Sequence, residues 1–532
     1  MPVKKISVSH IDSTRYVLTP KQRSTPVVIE QLRREAIHKR KKFCRLQFEK
    51  LLDSSYSGIL KWYKSRQKRP PGPVGLPFVG YLPFLGKEPH KTFWNMRKKY
   101  GDIISVYLGP KYTIVLNEYK VAKEVLSHPG SLDRAPDLFK HLDDVGFVVE
   151  NGARWVEQRR FTMSTAKGLG LGKDYWGTLI MEELFNLIQK LQKLKGKPFD
   201  ISEDLLSSLN TNILSLLIGR RLGKDEVDKI HLSAEFADAA MTKMGPSNPA
   251  SLVPGLRKTF EIFKIAGYDK ARKTVLQFSS FLKEEIKRHK TSQPFRDIPD
   301  FINCYLEKLS ELSKTNNKDH AFSENMLEGN MALLFLGASD TVYSSLGWLI
   351  RIMCKYKNIQ EKVYKELMEI LGKDGRAKYE ERDKIPYTFA VLMEGQRYAS
   401  NVPLSTTRRA NQDIPVNGYI IPKGSEITTN LWGLHHDSAY WDEPEEFRPE
   451  RFLTDGGTKL IKHPLSYVPF SLGRRNCPGE TIAWMEILYY FSEILKKFEI
   501  STPPGVEPEF EIINGLVTRL APQQLCFKER NI

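Results

Sequence analysis

A chain of 532 residues with 41% apolar and 11% aromatic content can bury a large core, which excludes an intrinsically disordered protein. Its formal net charge of +18 suggests a polyanion partner, but residues 1–69 hold eighteen Lys or Arg against five Asp or Glu, leaving +5 to the other 463 residues. The basic character belongs mainly to an N-terminal extension and carries no recognisable nucleic-acid-binding module, so a nucleic-acid partner ranks last and none is expected.

Within that extension, Lys39-Arg40-Lys41-Lys42 and Arg66-Gln67-Lys68-Arg69 are dense enough to attract anionic lipid, and either run also reads as a solvated face. Residues 1–25 carry five basic residues and one acid, Asp12, a pattern similar to a mitochondrial transit peptide. No stretch of 18 or more apolar residues is found, and no secretory signal follows Lys4 and Lys5. The five cysteines, Cys44, Cys304, Cys354, Cys477 and Cys526, are scattered without disulfide or zinc spacing and indicate a reducing compartment.

The segment Arg69-Pro70-Pro71-Gly72-Pro73-Val74-Gly75-Leu76-Pro77 is a stiff hinge, because proline fixes φ and removes amide donors. It divides the extension 1–69 from an expected single domain over 70–532. Short strands are predicted at 103–108, 113–116 and 419–421, each bounded by Gly, Pro or Asn. Apolar residues at helical spacing predict helices over 178–192, 207–218, 326–353, 359–371 and 480–498, with a surface loop near Lys314 to His320. The fold class is mainly α with a minor β-sheet region, α+β. Gly168-Leu169-Gly170-Leu171-Gly172 imitates a dinucleotide loop, but it follows a helical region rather than a strand. The sequence shows no convincing flavin or nicotinamide site.

Inside the predicted helix 326–353, Gly337 and Thr341 lie one turn apart on one face and leave a gap for a flat ligand. Asp340 and Thr341 are costly in that apolar setting unless hydrogen-bonded, although a back-bonding threonine beside a weakening glycine explains the same residues. Glu394 and Arg397 share a helix face at a spacing also common in surface pairs. In Phe470-Ser471-Leu472-Gly473-Arg474-Arg475-Asn476-Cys477-Pro478-Gly479-Glu480, two glycines permit close backbone approach to a flat ligand. Cys477 is expected at an N-cap-like position with Pro478 as first helical residue, and such a thiol near arginines is expected as thiolate. A buried structural cysteine is the alternative.

The string Phe-x-x-Gly-x-Arg-x-Cys-x-Gly resembles the haem-binding signature of the cytochrome P450 family, and the other motifs follow in family order over 70–532. The resemblance implies the cytochrome P450 fold and a haem b whose iron is ligated by Cys477. It further implies that Phe470 packs beside the ligand, that Gly473 and Gly479 let the loop approach the cofactor, and that Arg475 pairs with a haem propionate. Trp155 and Arg159 match the family's Trp-x-x-x-Arg propionate clamp, and Arg134 and Arg408 resemble further propionate contacts. Gly337-Ala338-Ser339-Asp340-Thr341 resembles the oxygen-activation signature, with Gly337 and Ala338 beside the haem and Asp340 and Thr341 delivering protons. Val342 departs from the hydroxyl residue frequent after that threonine. Phe447-Arg448-Pro449-Glu450-Arg451-Phe452 resembles the second arginine motif, so that Arg451 bridges to Glu394 and Arg397 in a structural triad.

Stretches around Trp155, Asn430 to Asp437 and Cys477 to Glu480 resemble the animal microsomal branch acting on drugs, steroids and fatty acids. That resemblance implies monooxygenation of a hydrophobic substrate by dioxygen. Electrons would come from NADPH through NADPH-cytochrome P450 reductase, with cytochrome b5 as a second candidate donor. It also implies the cytosolic face of the endoplasmic reticulum membrane, with the mitochondrion as runner-up. Ile59, Leu60, Trp62, Tyr63, Leu76, Phe78 and Leu82 form a candidate interfacial patch. Two rivals are a haem-thiolate isomerase or dehydratase, disfavoured by Asp340 and Thr341, and a non-catalytic haem or ligand-binding protein. Candidate pocket walls are Leu333 to Ser339, Val402 to Thr407 and Leu138 to Phe147.

Overall fold

The structure, a computed structural model, describes residues 68–531 apart from 136–138, 140–144, 170–173, 245–247, 292–299 and 316–318. The basic runs and apolar patch before residue 68, the centre of the glycine-rich stretch, and parts of the 138–147 wall and the 314–320 loop lie outside the described residues. The long helix Glu324–Lys355 is the axis of the main core; it packs on helix Ser202–Ile218 and helix Glu480–Lys497. Ser323 starts it by accepting the amide of Met326 at 3.1 Å, which satisfies a donor that the first turn cannot. This helix is long and apolar enough to cross a membrane, yet most of it is enclosed by protein, as in the core helix of a soluble domain.

The predicted helices are found as Asp174–Lys193, Ser202–Ile218, Glu324–Lys355, Lys357–Leu371 and Glu480–Lys497. The spacing argument did not find Gly152–Gly168, which presents polar residues to the interior and so lacks an apolar stripe, or the charge-rich Tyr268–Thr291. The predicted strands are present, and the principal sheet has the order Ile103–Leu108, Lys111–Leu116, Glu426–Thr429, Arg408–Arg409, Asp133–Arg134. Its last two strands are antiparallel with Arg134 directly opposite Arg408. Like charges facing across a ladder are unfavourable, so this register has to be held by other contacts.

The helix Pro386–Ala399 is tied to the chain after it by charge. Glu394, fully buried, accepts from Arg397 Nε at 2.7 Å and Nη2 at 2.9 Å, and from Arg451 Nε at 3.1 Å. The arginines spend their other donors on carbonyls of the loop 442–446, including Arg397 Nη1 to Pro444 O at 2.8 Å and Arg451 Nη2 to Glu446 O at 3.1 Å. Arg397 Nη1 also donates to His435 O at 2.9 Å. His435 is buried and its pKa lies well below the usual value through burial, so the ring is neutral; its Nε2 accepts from Val468 N at 3.0 Å. Val468 opens the cysteine loop, so the buried carboxylate is connected to that loop through one imidazole. We predict that Arg397→Leu, which removes the two Arg397 bonds to Glu394 and leaves that buried carboxylate Oε2 unpaired, destabilises the protein by about 3–5 kcal/mol in urea unfolding. Removing Lys384 from its exposed pair with Glu381 is expected to leave the midpoint unchanged.

Candidate active site

Cys477 is held by the loop's own backbone. Ser471 N donates to Val468 O at 3.0 Å, Asn476 N to Gly473 O at 3.0 Å, and Cys477 N to Phe470 O at 2.9 Å. Ser471 and Gly473 turn the chain with φ of 63° and 73°. The helix begins at Glu480 with Gly479 as its N-cap, so Cys477 precedes the cap and Pro478 is outside the helix, against the N-cap expectation. Burial pushes the thiol up to about 11, opposed by the Gly479 amide and Arg159, so without a bound cation the protein alone favours the protonated form. The expected thiolate therefore requires a positive centre at the sulfur.

Cys477 lines an apolar cavity of about 280 Å³, with Gly337, Ala338 and Thr341 of the long helix also on its wall. A Cβ built on Gly337 meets nothing within 4 Å, so the missing side chain leaves open space. Thr341 Oγ1 donates to Gly337 O at 2.7 Å, the back-bonding geometry, and remains at the wall. Its carbonyl accepts from Asn401 Nδ2 at 2.9 Å and Ser345 Oγ at 2.8 Å. Asp340 does not line the cavity: its side chain is 0% exposed and its Oδ1 accepts from Arg519 Nε at 2.5 Å. Burial raises the Asp340 pKa and Arg519 opposes the shift.

Arg134, Arg159, Arg408 and Arg475 converge on the same cavity, and none pairs with a carboxylate among the described residues. Their donors go to neutral oxygens. Arg134 Nη1 donates to Thr406 O at 2.6 Å, Arg408 Nη1 to Leu126 O at 3.0 Å and Arg159 Nη2 to Asn476 Oδ1 at 2.9 Å. Arg475 Nε donates to Leu132 O at 2.7 Å, and its guanidinium lies 3.9 Å from the Trp155 ring centroid. Burial followed by mutual repulsion pulls Arg475 down to about 8, Arg408 to about 9 and Arg134 to about 10. Arg134 Nε is buried without a partner. Such a cluster is a site for an anion.

Phe470 lines the cavity and packs edge-on to Trp484, 5.5 Å between centroids, and Gly479 also lines it. Gly473 does not. Its close approach is to the Leu126 carbonyl, so this glycine serves the turn rather than a cofactor contact. The reading from sequence missed Asn401, Asn476, His435 and Arg519. His435 lies in a stretch already noted for its resemblance and Asn476 at an undefined position of the cysteine loop; Asn401 and Arg519 have no local signature.

The lining therefore combines a soft sulfur ligand, a space opened by Gly337 and four unneutralised cations. The family profile described as Cytochrome P450 matches residues 70–527. The chain is 31% identical to Cytochrome P450 2F3 of Capra hircus, over 88% of this chain and 95% of that protein. It is also 31% identical to Cytochrome P450 2J5 of Mus musculus, over 86% and 90%, and 29% identical to Cytochrome P450 18a1 of Drosophila melanogaster, over 89% and 90%. We predict that Arg134→Gln raises the melting temperature of the cofactor-free protein, by relieving repulsion with Arg408. The same change should speed loss of the bound cofactor about tenfold, the value of one charge-assisted hydrogen bond. An equal change in the melting temperatures of the loaded and empty forms would contradict the anion-site reading.

Proposed function

The chain belongs to the cytochrome P450 family, whose members are haem-dependent monooxygenases, and from that premise we propose its substrate class, electron source and location. The carrying observation is Cys477 and four carboxylate-free arginines on one apolar cavity. Haem fits this lining, since its two propionates supply the missing negative charge and its iron the positive centre that a buried thiolate needs. In our reading the cofactor is haem b, held by Cys477 Sγ, with Arg134, Arg159, Arg408, Arg475 and Trp155 around the propionates. When bound, haem with a thiolate ligand supplies the activation of dioxygen.

The chain's own contribution is positioning and proton supply. Phe470 and Gly479 fix the sulfur, and the Gly337 gap admits a small ligand beside the long helix. Thr341 Oγ1 is a hydroxyl on the wall that would pass a proton to the cavity on turning away from Gly337 O, and Asp340 acts one step removed, since its carboxylate is turned to Arg519. Glu394, Arg397 and Arg451 act on structure, through the loop that holds Cys477. The apolar walls Leu333, Val402 and Phe147 suit a hydrophobic xenobiotic, steroid or fatty acid.

Electrons would come from NADPH through a separate reductase, with cytochrome b5 as an auxiliary donor. Exposed Arg474, 5.8 Å from the Trp155 ring, supports docking of an acidic donor on the cysteine side. Association with the cytosolic face of the endoplasmic reticulum is supported by exposed Val74 and Phe78, 93% and 89% accessible, and by exposed Phe263. The two segments are neighbours, since Gly109, bonded to Val79, abuts the Leu252 carbonyl just before the Phe263 segment. We predict a strongly red-shifted Soret band for the reduced, carbon-monoxide-bound protein, lost in Cys477→Ala. Thr341→Ala should retain that band while several-fold more reducing equivalents leave as hydrogen peroxide. A histidine-type band would overturn the ligand assignment, and unchanged coupling in Thr341→Ala would remove its proton role.

A further inference from the structure

Two segments roof the cavity. One is the turn Ala239–Lys243, which follows helix Val227–Asp238, and the other is the hairpin of strands Ile512–Ile513 and Arg519–Leu520. Met241 of the first and Leu516 and Val517 of the second are on the cavity wall. The turn is wound as a π-helix, with Met244 N donating to Ala239 O at 2.8 Å, and its widened path leaves the Met241 carbonyl to accept from Leu516 N at 3.3 Å.

The hairpin is held unequally on its two sides. Toward the core its partners are buried: Ser344 Oγ donates to Thr518 O at 2.6 Å, Thr518 N to Asn401 O at 2.7 Å, and Arg519 Nε pairs with Asp340. Toward the turn, among the described residues, the polar links are the long Leu516–Met241 bond and one ion pair. In that pair Arg519 Nη1 lies 3.2 Å from Asp238 Oδ1, with Arg519 12% and Asp238 57% exposed. A half-exposed pair is worth far less than a buried one and is screened by salt. Asp238 ends its helix and leads directly into the Met241 turn, so releasing this pair removes the turn's charge tie to the hairpin, while the hairpin stays fixed to the core.

We infer that Arg519 latches the cavity roof through Asp238, and that bulky apolar substrates pass through the Met241–Leu516 seam which this pair closes. Arg519 is thus a positioning residue that selects substrates by size, and this inference rests on the haem-monooxygenase reading above.

The test follows binding of two nitrogen ligands to the haem-loaded protein by their Soret shift, small imidazole and bulky clotrimazole. Asp238→Asn should speed clotrimazole association by about two- to fivefold, the most that an exposed ion pair supplies, and leave imidazole unchanged. High salt should do the same to the wild type and add nothing in Asp238→Asn. In the opposite direction, Thr242→Cys with Gly515→Cys places a cross-link on the seam, since a Cβ on Gly515 lies 3.7 Å from Thr242 Cγ2. Oxidation should slow clotrimazole by about tenfold or more, and dithiothreitol should restore it. Clotrimazole rates that ignore both the charge change and the cross-link, or equal changes for both ligands, would place the route elsewhere. Wild-type protein that cannot be loaded with haem would sink the haem reading itself.

Discussion

One carboxylate carries the architecture around the cysteine. Glu394 is fully buried with two arginines, and removing three charges from water is costly unless each is neutralised and hydrogen-bonded. Here that condition is met: Glu394 accepts from both guanidinium groups and from Arg448 N, and the remaining arginine donors end on carbonyls of 442–446 and on His435 O. Because the donors go to main-chain oxygens rather than side chains, the network fixes the backbone path. His435 extends it, as a neutral ring receiving Val468 N on one side and bonded to Ser400 Oγ on the other. The sulfur is thereby placed by a helix some eighty residues earlier in the chain.

On the cavity wall itself the same residue type is used without its counter-charge. Arg134 and Arg408 face each other across an antiparallel ladder, and Arg159 stands close enough to depress Arg134, Arg408 and Arg475 further. Neutral carbonyls satisfy most of their hydrogen bonds but not their charge. A sequence under selection for stability alone would have placed an acid here, as it did at Glu394. The contrast between a saturated and an unsaturated arginine cluster in one domain separates support from binding site.

What the sequence disclosed follows from the range of the interactions. The cysteine loop was legible because its turn residues, sulfur and following helix lie within eleven consecutive positions, and the Gly337–Thr341 face because four residues make one helical turn. The N-cap expectation for Cys477 failed by two residues, since the loop's bonds from Asn476 and Cys477 back to Gly473 and Phe470 delay the helix until Glu480. Gly473 was assigned to the cofactor because it lies in the motif, whereas its neighbour in space, Leu126, is in another part of the chain. Asp340 was expected to deliver protons together with Thr341, by the motif's resemblance to the oxygen-activation signature. A step of one residue turns a helix by about 100°, which takes its carboxylate to Arg519, 179 positions away. The opposition of Arg134 and Arg408, some 270 positions apart, needed the sheet register.

These placements divide the domain by how its charges are solvated. From Glu394 through Arg397 and His435 to Val468 the links toward Cys477 are buried, so opening one of them exposes an unpaired ion or amide to a dry interior, and the sulfur's position is correspondingly stiff. Above the cavity the chain of charge runs from fully buried Asp340 through Arg519 to half-exposed Asp238, and water can replace the last link at little cost. Rigidity therefore declines from the thiol to the roof along a gradient set by solvent access, with Arg519 at the point where it changes. Chemistry that demands a fixed sulfur and the proposed passage of bulky molecules into the apolar cavity are compatible in one domain because the two demands fall on opposite ends of that gradient.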